Sequence, residues 1–362
     1  MAAAVGALPT LATARGGPLV SVPTRLRWRG ADLSFLPLIE SQNGVFRENG
    51  IARDCVAIIR NQGCNLVRLR LWVNPLGGWC NLAQTIAMAQ RARANNIRVL
   101  LDLHYSDTWA DPGQQNKPAS WVGLNDAALA TQVQTYTRDI LVAMRDAGAA
   151  PEAVQLGNEV TDGMLWPTGR ISSGGWSGFV NLLSAARRGV DDAFGVAQRP
   201  KVVIHIDRGA DLGGATWFFD NLANRGVAWD VIGLSYYPWW HGTLEQCRAT
   251  LHGLASRYRK PVFIAETAYP WTLGWNDNTN NILGLPSQLL AGFAATPSGQ
   301  AAFVRALTDI VHATPYGLGQ GVCWWAPDWI GGGSGSSWEN LAWFDFTGNV
   351  LPVALAMSSM PA

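Results

Sequence analysis

The sequence predicts an α/β fold, a single (β/α)8 barrel with long loops on its C-terminal face. Three observations carry this expectation. Short apolar runs rich in Val, Ile and Leu recur about eight times, each followed by a Gly/Pro/Asn/Trp-rich segment and a helix-like stretch. Alternating strands and helices call for a parallel sheet, and a series of this length closes a barrel more readily than it extends an open doubly wound sheet. The segments after the strands, notably 106–125, 161–175, 268–296 and 326–350, are much longer than those before them. In a barrel they all emerge on the face that carries active sites.

Taken in order, strands are expected at Arg27–Asp32, Leu66–Trp72, Val99–His104, Val154–Asn158, Lys201–Ile206, Val231–Tyr236, Val262–Glu266 and Gly321–Trp325. Side-chain alternation gives Arg68 and Arg70 one inward parity, and gives Asp102 and His104 the same parity on the next strand, so a buried pair between Asp102 and an arginine is expected. Amphipathic helices are expected at Asn81–Asn95, Asp126–Ala147, Trp176–Ala193, Gly214–Arg225, Thr243–Tyr258 and Ser298–Ala313, with Asn81, Asp126, Thr243 and Ser298 as N-caps. No composition break marks a second domain, so 26–362 reads as one barrel. Residues 1–25 read as a leader: MAAAVGALPTLATA ends in a small-residue pattern like a signal-peptidase site but lacks a positive start, leaving an export-signal remnant or a disordered leader.

Composition excludes several classes of function. Lys+Arg number 27 against Asp+Glu 26, so no basic excess exists to neutralise phosphates, and a nucleic-acid partner is not expected. No apolar run is long enough to span a bilayer. Five scattered cysteines do not make a disulfide scaffold. No zinc helix, nucleophile elbow, phosphate loop or dinucleotide fingerprint is present, and Gly331–Gly335 reads as a lid or plain loop. Eighteen tryptophans are unusual. Many lie in loop-like segments, where flat indole faces suit the C–H faces of sugars.

What remains are acids at strand ends. Val154–Leu156 runs into Gly157-Asn158-Glu159, and Val262–Ala265 runs into Glu266-Thr267. Both carboxylates face the mouth of one barrel, an arrangement suited to glycoside hydrolysis, with one protonating the leaving oxygen while the other attacks or activates water. The gap that separates retention from inversion cannot be read from spacing.

These motifs, with Arg68-Leu69-Arg70-Leu71-Trp72-Val73-Asn74-Pro75, the run from Asp102 through His104, Asp107 and Trp109 to Pro112, Ser235-Tyr236-Tyr237-Pro238, and Glu266 through Trp271 to Thr272, resemble glycoside hydrolase family 53. Its members are endo-β-1,4-galactanases in a clan of retaining (β/α)8 glycosidases. The likeness spans about Trp28 to Leu351. It implies Glu159 as general acid/base and Glu266 as nucleophile. Asn158 is expected to bind the 2-hydroxyl of the attacked sugar, and Arg70 to keep Glu266 ionised. Tyr236 or Tyr237 is expected to donate to the nucleophile, and His104 and His205 to line the bowl.

Trp325 is the expected floor of the cleavage subsite, with Trp109, Trp239, Trp271 and Trp338 as further platforms. Some family members hold calcium in the loop after strand 7. Here the segment offers one carboxylate, Asp277, so calcium is the weaker expectation and no cofactor the stronger. The expected partner is a polysaccharide, β-1,4-galactan, met by a secreted or periplasmic monomer away from any membrane. The runner-up readings are a related endo-glycanase on glucan, mannan or xylan, and a non-catalytic carbohydrate-binding barrel.

Overall fold

The computed structural model describes residues 25–331 and 335–359 of the 362-residue chain. Its parallel strands close into one barrel: β1 (Trp28–Asp32), β2 (Leu66–Leu71), β3 (Arg98–Leu103), β4 (Ala153–Leu156), β5 (Lys201–Ile206), β6 (Val231–Ser235), β7 (Val262–Thr267) and β8 (Gly319–Trp324). β1 pairs with both β2 and β8, which completes the closure. Every expected strand is present, its ends moved by no more than two residues. The expected leader lies outside the described residues apart from Arg25, as do residues 332–334 of the glycine-rich loop.

The helices Leu82–Ala94, Asp126–Asp146, Trp176–Phe194, Leu212–Asn224, Leu244–Tyr258 and Pro297–His312 stand where the periodicity puts them. Asn81 and Thr243 cap as expected, accepting the N–H groups of Gln84 and Gln246. Two caps lie upstream of their expected positions. Asn125, not Asp126, accepts from Ala128, and Thr296, not Ser298, accepts from Gly299, since a capping side chain reaches the N–H three residues on. Leu36–Ser41 and Pro352–Ala356 are helices of 6 and 5 residues, too short to leave a periodic signal. No helix among the described residues is long and apolar enough to cross a membrane. All five cysteines are free and buried.

The barrel interior is filled in steps. Trp28, Leu66, Leu100, Val203, Val231 and Phe263 form a dry floor, with the Trp28 and Phe263 rings edge-on at 5.0 Å. One alternation further along the strands, the buried Arg68, Asp102, Gln155 and His205 occupy the same interior and replace hydrocarbon with a polar layer. Above it the barrel opens.

β7 carries a bulge that positions the site. Leu234 of β6 faces Ile264 and the next residue, Ser235, faces Glu266, so two residues of β7 advance against one of β6. The same shift appears against β8. Ala265 belongs to the interior cluster, and strict alternation would send its successor outward. The bulge turns Glu266 inward instead.

Candidate active site

A cleft of about 750 Å³ opens above the polar layer, and Glu159 and Glu266 both line it. Glu159 arrives on a strained turn. Gly157 has φ 84°, and a Cβ there would lie 2.5 Å from Val160 Cγ1, so only glycine fits. Glu159 itself is left-handed at φ 45°, ψ 51°. This costs about 1–3 kcal/mol in a residue other than glycine and is typical of backbone bent to aim a functional group. Its Oε1 lies 2.6 Å from Ser235 Oγ, within hydrogen-bond distance.

Glu266 meets a cation and a phenol. Arg68 Nη2 lies 2.9 Å from Oε1, and Tyr237 donates its hydroxyl to Oε2 at 3.0 Å. Here the arginine differs from expectation. Arg70 shares the inward parity of Arg68 but sits one step higher, where its guanidinium lies 4.4 Å from the Phe35 ring, 4.9 Å from Trp72 and 4.1 Å from Trp109. Arg70 is part of the cleft wall, and Arg68 faces Glu266. Arg68 also pairs at 2.8 Å with each of Asp32 and Asp102, which is the buried aspartate–arginine pair expected from alternation.

Of the two tyrosines, Tyr237 faces Glu266, while Tyr236 donates to Gly242 O at 2.9 Å. β6 ends at Ser235, so the period-2 rule no longer applies at this pair. His104 lines the cleft with both ring nitrogens engaged: Nε2 donates to Asp102 Oδ2 at 3.0 Å, and Nδ1 accepts from Ala110 N at 3.1 Å and Trp72 Nε1 at 3.3 Å. His205 does not line it. The ring is buried behind Asn158, bridging Asn158 Oδ1 at 3.0 Å and Ser235 Oγ at 2.9 Å. Asn158 reaches the cleft, with Oδ1 fully engaged and Nδ2 donating to Ala110 O at 2.8 Å, which leaves its second Nδ2 hydrogen for a ligand hydroxyl.

Among the aromatics, Trp325, Trp109 and Trp338 line the cleft as expected, with Trp325 packed 4.4 Å from Trp338 and 5.9 Å from Trp109. Three expected contacts are structural instead. Trp271 packs 4.7 Å from Phe346, joining the loop after β7 to that after β8. Asp107 is spent on backbone, accepting from Asn74 N and Ala119 N at 2.9 and 2.8 Å. Trp239 packs 5.1 Å from Tyr237 while its neighbour Trp240, 54% exposed, takes the cleft position. Sequence reasoning also missed Asp207, Arg208 and His241 on the Glu159 side and Trp329 on the opposite side. The one signal available for the first pair was position, since both directly follow β5.

Charge separates the two glutamates. Burial pushes the Glu159 carboxyl well above the usual carboxylate range, and the nearby Glu266 charge pushes it further. Burial also raises Glu266, to about 7, and the Asp102 and Asp32 charges add to it, while Arg68 and the Tyr237 hydroxyl oppose the rise. Glu266 therefore ionises first and Glu159 keeps its proton longer. Burial pushes the Asp102 carboxyl up too, yet Arg68 and His104 outweigh it and hold Asp102 below its usual range.

The sequence profile of Glycosyl hydrolase family 53 matches residues 28–357. The chain belongs to that family. An uncharacterized protein of Niallia circulans is 42% identical over 335 residues, covering 89% of this chain and 91% of its own length. The arabinogalactan endo-β-1,4-galactanase of Cellvibrio japonicus is 36% identical, covering 90% of this chain and 89% of its own. Among solved structures, the Ignisphaera aggregans family 53 catalytic domain superposes with a TM-score of 0.88 at 36% identity, covering 94% of this chain and 98% of that one.

The family 53 chain is thus a glycoside hydrolase, and the loop after β7 bears on the calcium expectation. Asp277 Oδ1 accepts from Thr279 N and Oδ2 from Ser336 N, each at 2.6 Å. N–H dipoles aimed at both oxygens stabilise the carboxylate, and the buried Glu339 carboxyl lies against it. No group of three His, Cys, Asp or Glu side chains with metal-holding geometry occurs among the described residues. Asp277 ties the loop after β7 to the loop after β8.

Proposed function

We propose that this family 53 hydrolase is a retaining endo-β-1,4-galactanase acting on galactan and type I arabinogalactan side chains of pectin. The observation that carries the reading is the unequal environment of the two cleft glutamates. Glu266 has a guanidinium on one oxygen and a phenol on the other, which favours an ionised, oriented nucleophile. Glu159 has only a serine hydroxyl and no ion pair among the described residues, which favours a proton held for donation.

In the first step Glu266 Oε attacks the anomeric carbon while Glu159 gives its proton to the departing glycosidic oxygen. In the second, Glu159 takes a proton from water, whose oxygen attacks the same carbon and releases Glu266. Asn158 Nδ2 donates to the 2-hydroxyl of the attacked sugar, a contact that strengthens as positive charge develops on the ring. Acid, base and nucleophile all come from the chain, so the reaction needs no cofactor.

Because the acid sits on the leaving-group side, the leaving part of the chain lies toward Asp207, Arg208, Trp240 and His241, and the attacked sugar toward Trp325, Trp109 and Arg70. The substrate class is supported by the family and by relatives named as arabinogalactan endo-β-1,4-galactanases from Thermothelomyces thermophilus and Cellvibrio japonicus. A polymer too large to be imported suits an exported monomer, in keeping with the small-residue pattern at 12–14.

The test is product release from linear β-1,4-galactan beside β-1,4-glucan, mannan and xylan, with a Glu159→Gln/Glu266→Gln double variant as blank. Short galacto-oligosaccharides from galactan alone support the reading. Activity on another polymer keeps the chemistry and overturns the substrate, and no activity on any polymer favours a binding barrel.

A further inference from the structure

Behind Glu159 lies a line of buried groups that includes Ser235 and His205, neither of which has a part in the two-step mechanism. Glu159 Oε1 is 2.6 Å from Ser235 Oγ, which is 2.9 Å from His205 Nε2, and His205 Nδ1 is 3.0 Å from Asn158 Oδ1. Asn158 Oδ1 in turn accepts from Arg68 Nη2 at 2.7 Å and Gln155 Nε2 at 3.1 Å. Ser235 and His205 are both completely buried, so water does not complete their hydrogen bonding.

The donor directions along this line are forced. Arginine has no acceptor, so the Asn158 atom facing Arg68 is the carbonyl oxygen. Gln155 Nε2 also donates to Asp102 Oδ1 at 2.6 Å, so its amide too presents hydrogen to Asn158. The Asn158 nitrogen is turned toward Ala110 O. Facing a carbonyl oxygen, His205 Nδ1 carries its proton. Burial, and next to it the Arg68 charge, hold His205 neutral, so Nε2 carries none and accepts. Ser235 owns one hydrogen, and His205 Nε2 is where it goes. The lone pairs of Ser235 Oγ are then left for Glu159, and they are satisfied by a protonated carboxyl.

We propose that His205 is a positioning residue that holds the proton on Glu159 by engaging the hydrogen of Ser235, through a line of hydrogen bonds whose direction is set by the Arg68 guanidinium. The proposal rests on Glu159 being the acid/base. No proton travels along the line. When Glu159 gives its proton to the leaving oxygen, Ser235 keeps its own hydrogen and rotates it from His205 to the new carboxylate, leaving His205 Nε2 without a partner. That orphaned acceptor disfavours the ionised form and is relieved when water reprotonates Glu159 in the second step. The same cation that favours charge on Glu266 thereby favours a proton on Glu159. The other charged groups facing Glu159 are Glu266 and Asp207, which favour the proton, and Arg68 itself, which weakly opposes it. Those facing His205 are Arg68, Asp102, His104 and His241.

The two residues act with opposite sign, which a merely structural role would not do. Without the histidine acceptor, Ser235 is free to donate to the Glu159 carboxylate, so in His205→Phe the alkaline limb of kcat/KM on an aryl β-galactoside moves to lower pH. Without the serine, the carboxylate loses its one donor, so in Ser235→Ala that limb moves to higher pH. Glu159→Ala, assayed on a dinitrophenyl glycoside that needs no protonation, identifies the limb.

If the limb vanishes in Glu159→Ala and the two variants shift it in opposite directions, the proposal holds. If it vanishes but the variants shift it together or not at all, the proposal fails while the acid/base role stands. If it persists in Glu159→Ala, the acid/base reading fails, and the proposal with it. Nitrogen-15 NMR of the wild-type enzyme needs no variant: His205 is expected neutral with the proton on Nδ1, and a proton on Nε2 overturns the proposal.

Discussion

Arg68 and Glu266 are joined across the barrel interior, Nη2 to Oε1 at 2.9 Å, by residues that reach each other because of a bulge in β7. The same guanidinium holds Asp32 and Asp102, so one cation serves three buried carboxylates. Removing it leaves charges without partners in a dry site. Arg68→Met is expected to lower stability by about 3–5 kcal/mol in urea unfolding and to abolish turnover. Arg70→Met, which removes a guanidinium packed among rings, is expected to change stability by about 1 kcal/mol or less and to raise KM. The reverse ranking would make Arg70 rather than Arg68 the cation that serves Glu266.

The neighbouring tyrosines separate in the same way. Tyr237→Phe deletes a hydrogen bond to a charged acceptor, about 1.5–3 kcal/mol, and is expected to lower kcat roughly 10- to 100-fold. Tyr236→Phe deletes only a bond to Gly242 O and is expected to cost about 1 kcal/mol of stability with kcat nearly unchanged. Steady-state kinetics beside thermal melts on the two variants decides it.

Two loop tryptophans give a third comparison. Trp240→Ala removes an exposed ring from the cleft lining, worth about 0.5–1.5 kcal/mol of stacking, so KM for galactan is expected to rise about two- to tenfold while an aryl monogalactoside is unaffected. Trp271→Ala is expected to lower the melting temperature and leave KM for both substrates unchanged, because the ring packs on Phe346 outside the cleft.

Glu159 also sets a pH dependence of stability. Its carboxyl is raised in the folded protein, so the native state holds a proton that the unfolded chain has already lost above the ordinary carboxylate range. Stability from this group is present at low pH and declines as pH rises toward the raised value. Glu159→Gln, which stays neutral, is expected to gain melting temperature relative to wild type at pH 8 and to gain little at pH 4. An equal gain at both would remove Glu159 as the source.

The barrel was legible because its strands are apolar runs with punctuated ends, and Glu159 and Glu266 because each follows such a run directly. Depth within the barrel was not legible: Arg68 and Arg70 share a parity, and only the closed sheet shows which lies level with Glu266. Nor was the choice between Tyr236 and Tyr237, since β6 ends at Ser235, or between Trp239 and Trp240, whose short helix Pro238–His241 sets the ring directions. Asp107 and Trp271 carry the composition of binding residues, yet they brace the loops that hold the cleft open. Asn125 and Thr296 were hidden by equally good capping residues just downstream.

The central claim is a double displacement on Glu266 with Glu159 as acid/base, and the anomeric configuration of the first product tests it most directly. Proton NMR of a galacto-oligosaccharide digest, followed from the first minutes, is expected to show the β-anomer of the new reducing end appearing first, with the α-anomer growing in only by mutarotation. An α-anomer that appears first would contradict the account, because it would make Glu266 a base for water rather than the nucleophile.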